Sequence, residues 1–420
     1  MDSAILIENL ISPITLAFLL GNIATLKKSL EVVEHDDLLI EAKAPWGQRQ
    51  IVDSAIVDSA KAAMSQASPK ALLTGFPGFL GEKLLPRLLD LHPDVEFRCL
   101  VQPRFRDQAE TALARLGIAA NRAGLVEGDI TQESLGIETS RRESILARLD
   151  SVFHLAAVYD LAVSEEFARK VNVIGTRNMI AFAKSASAFK RFHHVSTAYV
   201  SGTFEGVFRE TDLDRGQSFK NHYEQTKFES EKDVVSSGLP FTVYRPGVVW
   251  GDSRTGETAK FDGPYTVMGA MEKIPFFFLD GPKDATMNVV PVDYVVEGLA
   301  RLSASSLSLG KTYNLTDPGG KDVRAFSRLM AKALGRSYIY VPLPLSLVRA
   351  TVSIPFIQRT LGLIPESIAY FGHRCRYDAS QAKADLATLG LSCPAMESYI
   401  SVIVKFFRAN KDRVRKTAMV

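Results

Sequence analysis

The chain has 420 residues, 46% hydrophobic and 23% charged, with a formal net charge of +3 at pH 7. That length holds one large α/β unit or two domains, and so small a charge surplus argues against nucleic acid as a partner. Cys99, Cys375 and Cys393 lie far apart with no CxxC or zinc spacing, so buried thiols in a reducing cytoplasm are expected rather than a disulfide framework.

Ala4 to Leu26 is largely apolar, interrupted by Glu8, Asn9, Pro13 and Asn22 and followed by Lys27-Lys28. It is borderline for a membrane span, which needs about 20 predominantly apolar residues. It also lacks the charged start and small-residue cleavage site of a signal peptide. Residues 1–42 are therefore expected to be an appendage: a membrane anchor, an amphipathic helix docked on the body, or a segment of separate origin. Residues 43–69, rich in Ala, Ser, Gln and Asp, read as a linker, with Ile-Val-Asp-Ser-Ala twice in tandem at 51–60.

From residue 70, apolar strand runs alternate with helical stretches. The expected strands are 70–74, 96–101, 124–127, 151–155, 191–196 and 241–245, and the expected helices 81–91, 107–116, 141–149, 164–187 and 222–237. This order predicts βαβ units and an α/β fold, a doubly wound parallel (Rossmann) sheet over 70–250. The alternation stops near 246, so 251–420 is expected to be mainly a smaller substrate-binding region, returning to the sheet near 286–316.

The first strand breaks into Thr74-Gly75-Phe76-Pro77-Gly78-Phe79-Leu80-Gly81 and then a leucine-spaced helix. Strand, glycine turn and helix form the setting of a dinucleotide fingerprint. Gly75 would allow the tight turn, Gly78 the approach of the pyrophosphate, and Gly81 close helix packing. The helix N-terminus would offer free N–H groups and its positive dipole end to the phosphates. The plainer reading is a glycine-rich turn with no ligand.

The second strand ends in Gln102-Pro103-Arg104-Phe105-Arg106, with no acid before Asp107. An NAD-preferring site usually places an acid there, so Arg104 or Arg106 favours a 2′-phosphate and NADP, with NAD the alternative. Asp129, before Ile130, is either a contact to adenine or a plain turn aspartate.

Tyr223 and Lys227 stand four apart and share a helix face. An ammonium beside a phenol favours the phenolate, pulling its pKa down from about 10. Such a tyrosine can exchange a proton with a substrate oxygen while hydride moves at carbon. Ser196-Thr197, just past a strand's C-terminal end, falls in the ligand crevice of such a sheet.

These segments, with His154-Leu155-Ala156-Ala157, Arg245-Pro246-Gly247 and Val290-Pro291-Val292-Asp293-Tyr294, resemble the extended short-chain dehydrogenase/reductase family over about residues 70–410. Within it the chain is most similar to the reductase domain shared by fatty acyl-CoA reductases and thioester reductases. The segments that say so are 154–161, 194–202, 223–231 and 245–256. The resemblance implies that Thr74 through Gly81 hold the pyrophosphate, with Ala156 and Ala157 lining the cofactor path and Pro246 and Val248 bordering the nicotinamide. It implies Thr197 on the substrate carbonyl oxygen, with Ser196 the neighbouring candidate. Tyr223 would be the general acid or base, and Lys227 would bind the nicotinamide ribose and tune Tyr223.

His193 and His194 are adjacent on a strand and point to opposite faces, so no metal site is expected. Residues 261–279 and 338–366 are either pocket for an apolar chain or ordinary core. Tyr399 to Lys416 reads as a solvated terminal helix, or more sharply as a membrane-surface contact.

The resemblance implies an NADPH-dependent reductase of an apolar carbonyl: an acyl-CoA thioester, aldehyde or ketone. A nucleotide-sugar epimerase or dehydratase, a hydroxysteroid dehydrogenase and a non-catalytic nucleotide sensor are the alternatives. With about seventy residues before the fold, a free CoA ester or small carbonyl is expected over a carrier-bound one. Peripheral or N-terminal membrane association and a homodimer stay open.

Overall fold

The computed structural model describes residues 68–411, apart from 161–162, 274–275, 278–281, 283, 340, 342 and 364, together with three upstream strands, Val33–Glu34, Leu39–Lys43 and Arg49–Asp53. The upstream strands pair antiparallel in chain order. Arg49–Asp53 takes in the β-branched Ile51-Val52 of the first tandem copy, so part of the expected linker is strand. The apolar run 4–26 lies outside the described residues.

Seven strands form the main sheet: β1 (Lys70–Thr74), β2 (Glu96–Val101), β3 (Ala123–Glu127), β4 (Leu149–His154), β5 (Arg191–Val195), β6 (Phe241–Pro246) and β7 (Lys311–Leu315). Their spatial order is β3-β2-β1-β4-β5-β6-β7, and every pairing is parallel. Helices α1 (Phe79–Leu91), α2 (Arg106–Arg115), α3 (Thr139–Leu146), α4 (continuous over 165–184) and α5 (His222–Val235) make the crossovers. This is the doubly wound α/β fold. The order turns between β1 and β4, and the crevice outside the strand C-termini there is where such sheets take ligands.

The strands are apolar on both faces because helices cover both. Ala71 and Leu73 of β1 pack with Leu84, Leu85 and Leu88 of α1, whereas Leu72 turns the other way to Val152, Phe192 and Met179 of α4.

A second core forms around Trp250, packed by α6 (Pro264–Lys273), α8 (Val323–Leu334) and α9 (Met396–Asn410). Between them in the chain, α7 (Val292–Ala304) returns to the main sheet, covers α1 and feeds β7. Helix α9 corrects the expectation for 399–411, while 412–416 lie outside the described residues. Tyr399, Ile400, Ile403, Val404 and Phe407 are buried in the second core, so its apolar stripe faces protein, not solvent or lipid. Tyr265, Val267, Met268 and Met271 of α6 are likewise core. No helix among the described residues is long and apolar enough to cross a membrane.

Phe97 is fully buried under α1, its ring 5.8 Å from that of Phe153. Phe97→Ala is expected to destabilise the protein by ~3–5 kcal/mol, read as a lower urea midpoint at unchanged slope. A loss below ~1 kcal/mol would mean that the site collapses around the missing ring.

Candidate active site

The site begins at the turn from β1 into α1. Gly75 lies at φ +85°, and Gly78, at φ −68° and ψ 166°, opens α1 with no side-chain cap. The Gly78 amide donates to the Gly75 carbonyl at 2.9 Å. A Cβ on Gly75 would stand 2.9 Å from the Ala156 nitrogen, and one on Gly81 2.5 Å from the Gly75 carbonyl oxygen. Backbone approach therefore demands glycine at both positions. Phe76 is buried in the core beneath the turn, Phe79 and Leu80 pack against the same core, and the Phe76–Pro77 peptide is cis. The first amides of α1 lack the usual capping side chain, which suits an anionic group at that end.

Thr74 ties this turn to β4. Its hydroxyl accepts from the amides of Leu155 and Ala156 at 3.2 and 3.1 Å and donates to His154 Nδ1 at 2.8 Å. His154 Nε2 then donates to Thr176 at 3.0 Å, because the Thr176 hydrogen is committed to the Asn172 carbonyl at 2.6 Å. Burial, helped by the Lys227 charge, holds the His154 ring down to about 3, so it is neutral. Asn172 continues the chain from a wider, π-type turn of α4. Its amide accepts from Val158 N at 2.8 Å and donates to Val158 O and to Thr226 Oγ, both at 3.0 Å. The segment 155–158, with Ala156 and Ala157, is thus fastened from two sides. Sequence reasoning missed Asn172 and Thr176. Their one signal is their spacing, four apart and so on one face of the helical stretch 164–187.

At the end of β2, Arg104 sits exposed on the turn Pro103–Phe105. Its Nε donates to Gln102 at 2.8 Å, and its guanidinium lies 4.7 Å from the Phe105 ring. Arg106 is engaged by two carboxylates, Glu110 at 2.9 Å and Glu127 at 2.5 Å, which draw it toward α2 and β3. Asp129 accepts from Gln102 at 2.9 Å and from the Thr131 amide at 2.8 Å, the pattern of a turn aspartate. Ile130 packs against Gly175, and its carbonyl accepts from Asn178 at 2.8 Å.

Ser196 and Thr197 follow β5 in extended backbone, so their side chains part. Ser196 is turned inward and donates to Glu231 at 2.5 Å. Thr197 caps the turn Ala198–Ser201, accepting from the Tyr199 amide at 3.3 Å, and its side chain stands near the Tyr223 phenol. Tyr223 and Lys227 occupy successive turns of α5, which Asn221 caps by accepting from the Glu224 amide at 2.9 Å. Lys227 is buried, its ammonium donating to the Val195 carbonyl at 2.8 Å.

The expected lowering of the Tyr223 phenol is not found. Burial pushes it up to about 12, with the nearby Thr197 side chain working the other way. Burial also brings Lys227 down to about 8 against the attraction of Glu231. The ammonium is drawn to Val195 O and Glu231, so the neutral phenol is the resting form. Beneath it lies a fully buried ion pair, Arg245 Nη2 to Glu231 at 2.6 Å, with Arg245 also donating to the Asp212 carbonyl at 2.7 Å.

Pro246 closes β6, and a Cβ on the next residue, Gly247, would meet Asn288 at 2.7 Å. The Val248 amide donates to the Asn288 carbonyl at 2.9 Å. At the outer rim, Lys260 hydrogen-bonds the Tyr159 hydroxyl and lies 4.6 Å from its ring. His193 stacks on Phe153 at 4.3 Å, while His194 faces the other way, 5.6 Å from His154. Among the described residues no cluster could hold a metal ion.

The ends of β1, β4, β5 and β6 thus carry the glycine turn, Ala156-Ala157, Thr197, and Pro246 with Val248, and α5 carries Tyr223 and Lys227. The donor set fits a dinucleotide: bare helix amides and close-packed glycines at one end, and a phenol and buried ammonium at the other.

A family model described as male sterility protein matches residues 73–299. A linear gramicidin synthase of Brevibacillus parabrevis is 29% identical over 340 residues, 74% of this chain but 6% of that protein. A fatty acyl-CoA reductase of Drosophila melanogaster, wat, is 27% identical over 292 residues, 59% of this chain and 56% of that protein. The chain therefore spans only part of the curated relatives it matches. The terminal R domain of the myxalamid PKS-NRPS pathway has a similar structure, with TM-score 0.71, 26% identity, and coverage of 84% of this chain and 94% of that domain. A UDP-glucuronic acid 4-epimerase from Bacillus cereus shares the fold at TM-score 0.55 and 16% identity, covering 81% of this chain and 99% of that one.

Thr74→Val would leave the amides of Leu155 and Ala156 and the His154 ring short of partners. It is expected to cost ~1–3 kcal/mol of stability in urea unfolding, with Thr74→Ser close to the parent. Parental stability in Thr74→Val would show that the contacts carry no net energy.

Proposed function

The chain belongs to the male sterility protein family of NAD(P)-binding reductases, and from that premise we propose that it is an NADPH-dependent reductase of an apolar carbonyl, an acyl-CoA thioester, fatty aldehyde or ketone. The observation that carries the reading is the buried Lys227 one helical turn from a neutral Tyr223, with the Thr197 side chain beside that phenol. A nicotinamide bound beside these residues supplies the hydride that adds to the carbonyl carbon.

Thr197 and Tyr223 would both donate to the carbonyl oxygen and stabilise the charge that develops on it. Tyr223 would then give that oxygen its phenolic proton. Lys227 would stabilise the phenolate left behind and hold the nicotinamide ribose. From a thioester the tetrahedral adduct would expel thiol and leave an aldehyde. Gly75, Gly78, Gly81 and the α1 amides would hold the pyrophosphate. Arg104, exposed beyond β2, is the better placed arginine for a 2′-phosphate, since Arg106 is committed to Glu110 and Glu127. The free thiols Cys99, Cys375 and Cys393 match a reducing, cytoplasmic setting.

The test follows NADPH and NADH absorbance with long-chain acyl-CoA, fatty aldehyde, ketosteroid and UDP-sugar in parallel. Turnover of an apolar carbonyl with NADPH is expected, and Tyr223→Phe should lower it ~10²–10⁴-fold. No carbonyl turnover, or undiminished turnover in Tyr223→Phe, would overturn the reading. Turnover with NADH alone would refute the role of Arg104.

The pH profile carries a sign. Tyr223 stays protonated across the working range, and Lys227 keeps its charge below about 8. kcat/KM for reduction should be level below that pH and fall above it as the ammonium loses its proton. A rate that rises through the same window would exclude this assignment.

A further inference from the structure

A second cleft opens at the other end of the sheet, around the edge strand β3. It encloses about 650 Å³ and is lined by Lys70, Arg98 and Arg141 on one side and by Leu113 and Ile118 on another. That is the size of a small-molecule site, ~300–1,000 Å³. Lys70 opens β1, whereas Thr74, at the dinucleotide crevice, closes it. Lys70 and Thr74 therefore stand at opposite ends of the strand, and the cleft runs from Lys70 along β3 to Arg106 and Glu110.

Gly124, opposite Arg98 in the ladder, gives the guanidinium its room. A Cβ there would stand 2.7 Å from Arg98 Nη1. Glycine weakens a strand interior, and it marks places where another group must approach closely. The charges do not balance. Lys70, Arg98, Arg141 and the flanking Arg148 have Glu96, which pairs with Arg98 and lies 3.4 Å from Arg148, while Glu110, the carboxylate in the cleft's lining, is paired with Arg106 at 2.9 Å. Lys70 donates to the Ser144 carbonyl and hydroxyl at 2.9 and 3.1 Å, and Arg141 to the Leu125 carbonyl at 2.7 Å. These partners are neutral. Burial and the three arginines bring the Lys70 ammonium down to about 8.

We propose that this cleft binds a small organic phosphate of nucleotide size, with the phosphate on Arg98, Arg141 and Lys70 and the organic body on Leu113 and Ile118. Arginine forks match phosphate oxygens in pairs, and the uncompensated positive charge calls for a group of more than one negative charge. The apolar wall calls for more than a bare anion. The proposed phosphate ligands Arg98, Arg141 and Lys70 have no part in the dinucleotide crevice or in the reaction proposed for it; Arg106, at the rim, is held by Glu110 and Glu127.

The test is calorimetric titration of the full chain, saturated with NADP+, at fixed ionic strength. One arm uses ADP and the other inorganic pyrophosphate. One further site for ADP is expected, tighter than for pyrophosphate, with a higher thermal midpoint. Arg98→Gln/Arg141→Gln should weaken it ~10–100-fold while leaving NADP+ affinity unchanged. Arg141→Gln alone, at an exposed position of α3, serves if the double variant does not fold. No further site, or an affinity that the variants leave unchanged, would overturn the proposal. Pyrophosphate binding as tightly as ADP would overturn the organic-phosphate assignment. Self-association of the variants with no ADP site in the parent would instead make these cations guards of the open edge of β3.

Discussion

Glu231 is a fully buried carboxylate on α5, the helix that also carries Tyr223 and Lys227, and the geometry around it depends on how its charge is met. Arg245 from β6 supplies the counter-charge, Ser196 from the end of β5 supplies a hydrogen bond, and Lys227 feels its field. Taking such a pair out of water is costly, and it holds only with good geometry on both sides. The pair thus locks α5 in rotation and height against β5 and β6. Once α5 is held so, Lys227 reaches the Val195 carbonyl and Tyr223 reaches Thr197.

The same logic of buried polar groups ties the rest of the crevice. Thr74, His154, Thr176 and Asn172 pass one chain of hydrogen bonds from the glycine turn to α4. The smaller region is fastened through Glu224, beside Tyr223. The Tyr370 hydroxyl donates to it at 2.8 Å and accepts from Asn221 at 2.8 Å, while the Tyr370 ring stands edge-on to Tyr199 at 5.1 Å. A movement of the smaller region would therefore be felt at the N-terminus of α5.

Much of this was readable along the chain. Apolar runs and helical apolar spacing located the six strands and five crossover helices of 70–250 to within a few residues, because helices on both faces reward continuous apolar strands. The glycine turn was readable because backbone sterics act over seven residues. The spacing of Tyr223 and Lys227 placed both on one face of a helix. Asn172 was not readable, since its partners, Val158 and Thr226, stand 14 and 54 residues away. Neither was the burial of α9, whose amphipathic stripe looks the same whether protein or solvent lies against it.

The sequence alone determined the order of elements, the glycine-demanding turn and the pairing of a tyrosine with a lysine on one helix face, since each follows from periodicity or sterics over a few residues. Only the tertiary structure decided that Ser196 turns to Glu231 while Thr197 meets Tyr223, that Arg106 is held by Glu110 and Glu127, and that Tyr223 rests as a phenol. Those outcomes depend on burial and on charges brought together from distant strands, and burial is a property of the packed molecule, not of any stretch of chain.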